Sequence, residues 1–261
     1  MPNTRSPLPS VFRRRIALVT GAGSAQGIGF ATARALGQLG HRVYLTSTTD
    51  RILERAATLR AEGVDAIGLK ADLTDPSQVE GLVATLSAPV DLLVNNAGMA
   101  VLGVVDAGAP LRNMSLSVWN QVIERNLTTA FLMTRACLPS MLAQHFGRIV
   151  TVSSTTGAVA GVAGDSAYAA AKAALLGMTR SLCLEVASQG VTANAIAPGW
   201  IATGSQTLPE EHAGRATPMG RSGTPDEVAA AIVFLCSEQA SYLTGQLLIV
   251  DGGNSVLESH A

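Results

Sequence analysis

Charge is scarce in this chain. Asp, Glu, Lys and Arg supply only 14% of its 261 residues and nearly cancel, leaving a formal net charge of −1. No basic excess exists to hold a phosphate polymer or an anionic lipid surface, so nucleic acid is not an expected partner. Cysteine is scarce too. Cys137, Cys183 and Cys236 lie far apart with no C-x-x-C pair, and the histidines (His41, His145, His212, His260) are scattered. The ligand spacing of a Cys/His metal site is missing, so no metal is expected, and the thiols read as reduced cysteines of a cytoplasmic protein. No apolar run approaches the ~18 residues of a membrane span. Residues 1–15 are polar, Pro-rich and end on Arg13, Arg14 and Arg15, without the apolar centre of a signal peptide. A soluble protein with no membrane partner is expected.

What the chain does have is apolar content, 48%, and 26 glycines, which suit a large core with many tight turns. Short V/I/L/A runs predict strands at Ile16–Thr20, Arg42–Thr46, Ala66–Lys70, Asp91–Asn95, Arg148–Ser153, Val191–Ile196 and Gln246–Asp251. Near-continuous apolar strands are those buried on both faces of a parallel sheet. Between them, helical patterns cover 27–40, 50–62, 75–86, 115–144, 166–189 and 224–237. The last opens on Thr224-Pro225-Asp226-Glu227, a capping hydroxyl, a first-turn proline and two acids facing the helix dipole. Alternating strands and helices predict an α/β fold: a Rossmann-type doubly wound parallel sheet of about seven strands with helices on both faces. With no linker tract or repeat, a single dinucleotide-binding and catalytic domain over 15–255 is expected, between tails at 1–14 and 256–261.

The first strand runs into Thr20-Gly21-Ala22-Gly23-Ser24-Ala25-Gln26-Gly27-Ile28-Gly29 and then a helix. Glycines there let the backbone turn sharply and approach a pyrophosphate, whose charge the helix N-terminus favours. Gly21, Ser24, Gln26, Gly27, Ile28 and Gly29 are the candidate contacts. About 20 residues beyond such a turn, an acid would hold the ribose 2′-hydroxyl of NAD. Ser47 stands at that point, followed by Thr48, Thr49, Asp50 and Arg51. Hydroxyls and an arginine accept a 2′-phosphate that a carboxylate would repel, which favours NADP(H), with NAD(H) as the alternative. The competing reading makes Arg51 a solvated opening residue of the next helix, capped by Asp50.

Tyr168 and Lys172 lie four apart in a helical segment and so share one face. A tyrosine titrates near pH ~10, and a neighbouring cation, helped by a positively charged nicotinamide, would favour its phenolate. Alone, such a pair is more often an exposed helical one. Its company changes that. The strand Arg148–Ser153 empties into Ser153-Ser154, and ligands of such sheets bind beyond the carboxyl ends of strands. Ser154, 14 residues before Tyr168, is placed to hydrogen-bond a substrate oxygen as charge develops on it. The plainer role for Ser154 is a turn cap.

Taken in order, these motifs resemble the short-chain dehydrogenase/reductase family, in the branch that includes 3-oxoacyl-acyl-carrier-protein reductases. The likeness spans about residues 15–253. It adds Asp72-Leu73, Asn95-Asn96-Ala97-Gly98, Asn126-Leu127, Asn194, Pro198-Gly199, Pro218-Met219-Gly220-Arg221, Leu243-Thr244-Gly245-Gln246 and Val250-Asp251-Gly252-Gly253. The resemblance implies Tyr168 as general acid in reduction and base in oxidation. It implies Lys172 lowering the Tyr168 pKa and binding the nicotinamide ribose, Ser154 orienting substrate, and Asn126 holding a water in a proton relay. Asp72 and Leu73 would flank the adenine, with Asn95, Ala97 and Gly98 beside the cofactor. Ile201 and Thr203, after Pro198 and Gly199, would meet the nicotinamide carboxamide. A homotetramer is implied as well.

Three departures stand out. Five residues separate Gly21 from Gly27, two more than the family turn, which leaves open which of residues 23–26 meet phosphate. The gap from Ser154 to Tyr168 is one longer than the commonest spacing. Strict counting would select Thr155, whereas the strand end selects Ser154, which we prefer. Residues 99–121 are enlarged and 204–219 short for the family's lid, with Met99, Val162, Trp200, Leu208 and Met219 as candidate walls for a modestly hydrophobic substrate. The expected activity is hydride transfer between NADP(H) and a small-molecule carbonyl or secondary alcohol, with 3-oxoacyl or related ketones as substrates. The alternative is an NAD-dependent polyol or secondary alcohol dehydrogenase. A non-catalytic nucleotide sensor is the remote third, which would not need Asn126, Ser154, Tyr168 and Lys172 together.

Overall fold

Residues 13–98 and 109–258 are described by a computed structural model of the chain. The predicted apolar runs become β1 (Ile16–Val19), β2 (Arg42–Ser47), β3 (Ala66–Lys70), β4 (Leu92–Asn95), β5 (Gly147–Val152), β6 (Val191–Pro198) and β7 (Leu247–Val250). They pair in parallel throughout, in the order β3-β2-β1-β4-β5-β6-β7. Every residue of β5 and β6 is buried, the signature of strands covered on both faces. The chain leaves β1 towards β2 on one side and returns at β4 on the other, so a crevice opens beyond the carboxyl ends of β1 and β4.

Among the described residues nine α-helical segments follow in chain order: α1 (Ile28–Gln38), α2 (Arg51–Ala61), α3 (Pro76–Ala84), α4 (Leu116–Ile123), α5 (Thr129–Ala143), the short turn α6 (Thr155–Ala158), α7 (Ser166–Val186), α8 (Leu208–Arg215) and α9 (Pro225–Cys236). One sheet face is packed by α1, α2 and α9 through Phe30, Leu36, Ile52, Leu59 and Ile232. The other is packed by α3, α5 and α7 through Leu82, Met133, Met141 and Leu182. Each fully buried side chain of this kind stabilises the fold by about 1.5–3 kcal/mol. Gly37 shows how close α1 comes: a Cβ there would stand 2.1 Å from Val64 Cγ1.

The structure corrects several boundaries. The pattern 115–144 is not one helix but α4 and α5 joined by a π-helical turn at Glu124–Thr128. Asn126 Nδ2 donates to the Val122 carbonyl at 3.0 Å, so a side chain takes the acceptor of a regular turn and the helix widens there. The pattern 166–189 ends at Val186, passes through a 3₁₀ turn, and stops at left-handed Gly190, φ +78°. A Cβ on Gly190 would lie 2.3 Å from the His145 carbonyl oxygen, so only glycine fits. β6 runs two residues further than expected because Ala197 and Pro198 still pair with Ile249 and Val250. Asp50 does not cap α2; its carboxylate meets Lys70 Nζ at 3.0 Å instead. The segment 204–219, expected to be short for the family's lid, carries α8, which Thr207 and Glu210 open with a full capping box.

Thr224 and Glu227 cap α9 reciprocally, at 3.2 Å and 2.8 Å. Thr224→Ala should therefore lower the unfolding free energy by about 1 kcal/mol in urea titrations. Asp50→Ala, removing only an exposed pair, should change it by less than about 0.5 kcal/mol.

Candidate active site

The glycine turn is held where β1 and β4 diverge. Thr20 Oγ1 accepts the Asn96 and Ala97 amides, each at 2.9 Å, and Asn96 Nδ2 donates back to the Thr20 and Gly21 carbonyls at 3.0 Å and 3.1 Å. Gly21 has φ +67°, and its absent Cβ would stand 2.8 Å from Ala97 Cα. Gly29, buried in α1, leaves room for Asn96 Nδ2, which a Cβ would approach to 2.5 Å. Asn95 and Asn96 thus divide the work differently from the expectation. Asn95 points into the core and donates to Thr134 Oγ1 at 2.9 Å, tying β4 to α5. Asn96 lines the cavity, because alternation along a strand sends successive side chains to opposite faces.

The catalytic candidates gather at the ends of β5 and α7. Lys172 is buried and its Nζ donates to the Val152 carbonyl at 3.0 Å, while the Lys172 carbonyl accepts Ser153 Oγ at 2.8 Å. The ammonium lies 5.5 Å from the centroid of the Tyr168 ring. Ser154 takes the plainer of the two roles considered for it, the turn cap, and also lines the cavity. Its Oγ caps the Thr156 amide at 3.1 Å, and its hydroxyl hydrogen-bonds the Tyr168 phenol. Asn126 is fully buried, with Oδ1 2.7 Å from where a Gly98 Cβ would be, so it backs Gly98 rather than lining the cavity.

The electrostatics run against one expectation. Burial pushes the Tyr168 phenol above its ordinary value; the Ser154 hydrogen bond opposes this, and the Asp165 and Glu210 charges add to it. Burial also pulls Lys172 down to about 8. Burial shifts both groups towards their neutral forms because the pocket withholds water from either charge, although Lys172 keeps its proton below pH 8. A raised phenol remains a proton donor at neutral pH, which suits an acid.

A cavity of about 430 Å³ joins these parts. Of the candidate cofactor residues, Gly21, Ser24, Gly27, Ile28, Gly98, Tyr168, Lys172, Pro198, Gly199, Ile201 and Thr203 line it, as do Ser154 and Thr155. Gln26, exposed, accepts the Gly204 amide at 3.3 Å and so joins the glycine turn to the lid segment. Ser47, Thr48 and Arg51 stand outside the cavity at the end of β2. Ser47 Oγ donates to the Thr49 carbonyl at 2.9 Å, Arg51 Nε donates to Thr49 Oγ1 at 3.3 Å, and Gly23 is flush against Ser47. Asp72 is exposed and ties down Thr74, whereas the Leu73 side chain is core. Of the candidate walls, Val162 and Trp200 line the cavity, Leu208 and Met219 point to solvent at 71% and 63% exposure, and Met99 lies outside the described residues.

Missed altogether were Asp165, Ser205, Gln206, Thr207 and Glu210, which also line the cavity. The T-x-x-E pattern Thr207-Leu208-Pro209-Glu210 was the available signal, since a capping box announces a helix start. Among the described residues, no three His, Cys, Asp or Glu side chains gather as a metal site. The residues present do fit a dinucleotide. The crevice floor is bare backbone where Gly21 and Gly27 admit no Cβ without crowding Ala97 or Ser24, and it faces the N-terminus of α1.

A doubly wound sheet with this turn and a Ser–Tyr–Lys set on one cavity defines an oxidoreductase working between a CH–OH and a C=O carbon. The family model described as enoyl-(acyl carrier protein) reductase matches residues 21–255, and the chain belongs to that family, the short-chain dehydrogenases/reductases. It is 39% identical to the 3-oxoacyl-acyl-carrier-protein reductase FabG of Salmonella typhimurium, over 93% of this chain and 98% of that protein. It is 41% identical to cis-4-hydroxycyclohexanecarboxylate dehydrogenase of Sinomonas cyclohexanicum, over 93% and 97%. The crystal structure of an actinorhodin polyketide ketoreductase with NADPH superposes with a TM-score of 0.86 at 34% identity, covering 95% of this chain and 99% of that one.

Lys172 gives a prediction with a definite sign. Its folded value of about 8 lies below its ordinary 10.5, so the unfolded chain binds the extra proton between those values and stability rises with pH across that window. Below pH 8 the full burial cost, on the order of 3 kcal/mol, is present. Lys172→Met should abolish turnover, unfold no more easily at pH 7, and flatten the pH 8–10.5 rise in urea titrations.

Proposed function

We propose that this chain is an NADP(H)-dependent ketone reductase of one catalytic domain, residues 15–255, with Tyr168 as the proton donor. The observation that carries the reading is the meeting of Ser154, Tyr168 and Lys172 with the glycine turn on one cavity. NADPH, when bound, supplies the hydride. The substrate carbonyl oxygen is received by the Ser154 and Tyr168 hydroxyls, and as charge develops on it the Tyr168 O–H bond breaks and the proton passes to it. Lys172, buried beneath the ring, stabilises the phenolate left behind. Asn126, behind Gly98 in the widened turn, is assigned to positioning a water that returns the proton towards Lys172.

Pyrophosphate is assigned to the Ser24–Gly29 end of the turn, and adenine to the surface between Asp72 and Leu73 and the end of β2. Ser47, Thr48 and Arg51 would take the 2′-phosphate: they cluster on an exposed edge without a carboxylate aimed into it, Asp50 being paired with Lys70. Ile201 and Thr203 are assigned to the carboxamide, with Pro198 and Gly199 beneath it. The NADPH of the ketoreductase structure and the 3-oxoacyl chemistry named for the FabG relatives support this choice of cofactor and substrate class. The dehydrogenase named for the Sinomonas relative supports a second reading, oxidation of a secondary alcohol on the same machinery.

A homotetramer is the proposed assembly. Leu184 on α7 is 84% exposed, Phe131 on α5 is partly exposed, and Tyr242 stands free beside the uncovered strand β7. The three cysteines are unpaired, in line with the cytoplasm.

Tyr168→Phe should lower kcat by about 10²–10⁴-fold while NADPH titration still shows binding; retained turnover would remove Tyr168 from its role. Ser47→Asp should shift the NADPH/NADH ratio of kcat/KM at least about tenfold towards NADH, through repulsion of the 2′-phosphate. Light scattering after size exclusion should give about four times the 26.8 kDa chain mass; a monomer alone would refute the assembly.

A further inference from the structure

The cavity carries an unbalanced charge that hydride transfer does not use. Among the described side chains that line it, only Lys172, Asp165 and Glu210 are charged. Lys172 is buried and turned to the Val152 carbonyl. The two carboxylates sit at the start of α7 and in the first turn of α8. Asp165 occupies the N-cap position of α7, and its backbone carbonyl accepts the Ala169 amide at 2.8 Å, yet its side chain makes no capping hydrogen bond, which leaves a carboxylate at the cavity where one would usually cap. Glu210 is held in place: its Oε2 accepts the Thr207 amide at 2.7 Å and the Thr207 hydroxyl at 2.9 Å. After burial, Glu210 is the next cause raising Asp165, and both acids raise Tyr168, so the three groups lie within each other's fields.

We propose that Asp165 and Glu210 select substrates by charge, favouring ketones whose remote end is an ammonium over neutral hydroxy analogues and disfavouring those that end in a carboxylate. An ammonium entering a half-closed mouth gains from two carboxylates, whereas an anion meets repulsion that discriminates more than attraction does. The carboxylate named for the Sinomonas enzyme is the kind of substrate this mouth resists. The proposal rests on the ketone reductase reading.

The test compares one ketone skeleton ending in ammonium, hydroxyl or carboxylate, reduced with NADPH by the full chain. The ammonium ketone should exceed the carboxylate in kcat/KM by about tenfold or more, chiefly through KM, the size expected of a charge pair in a partly solvated site. Asp165→Asn and Glu210→Gln should each narrow that ratio several-fold and together further. Asparagine removes no cap bond, and glutamine preserves the capping box, so both variants should melt near the parent. In parallel, quenching of tryptophan fluorescence, with Trp200 on the cavity wall, reports binding of hexylammonium and hexanoate. Hexylammonium should bind more tightly, and less so in the variants. Equal treatment of the three ketones, preference for the carboxylate, or ratios unmoved in both variants would overturn the proposal. Absence of turnover with every ketone and both cofactors, alongside an intact hexylammonium preference, would overturn the reductase reading and leave the charge selection standing.

Discussion

The site depends on a backbone-to-backbone contact between the turn after β1 and the turn after β4. Thr20 and Asn96 exchange hydrogen bonds across it, and Gly21 and Gly29 supply the space. Any Cβ at either glycine would crowd Asn96 or Ala97, so the crevice floor stays bare backbone. The parallel sheet makes this contact available, because the chain parts company with itself only between β1 and β4.

From that fixed floor the chemistry is organised by withheld water. Lys172 has one oxygen partner, the Val152 carbonyl, and burial holds it near neutrality's edge, while burial keeps the Tyr168 phenol protonated. A site so arranged costs stability without its ligand and gains it when opposite charge arrives, the usual trade between a working site and a stable one. The capping box of α8 extends the same logic outward, because Thr207 and Glu210 fix the lid helix and place a carboxylate on the cavity wall with one set of bonds.

Much of this was legible beforehand for identifiable reasons. Strands buried on both faces write near-continuous apolar runs, so all seven segments were visible within a residue or two. The Thr224 capping box and the Tyr168–Lys172 spacing are local patterns and survived intact. What went astray depended on neighbours distant in sequence. Asn95 was chosen over Asn96 because only the packing of α5 reveals which faces inward. The competing reading of Asp50 as a cap did not take account of Lys70, twenty positions on, which lies beside it. Leu208 and Met219 were read as walls, although α8 turns its polar first turn to the cavity instead.

The sequence by itself determined the class of fold, the glycine turn and the pairing of Tyr168 with Lys172, because each is specified by periodicity or by spacing within one or two elements. Tertiary structure alone decided the direction in which the Tyr168 and Lys172 proton affinities move, since burial is a property of everything packed around them. It alone brought Asp165 and Glu210, forty-five residues apart, onto one cavity wall, where their charges act together.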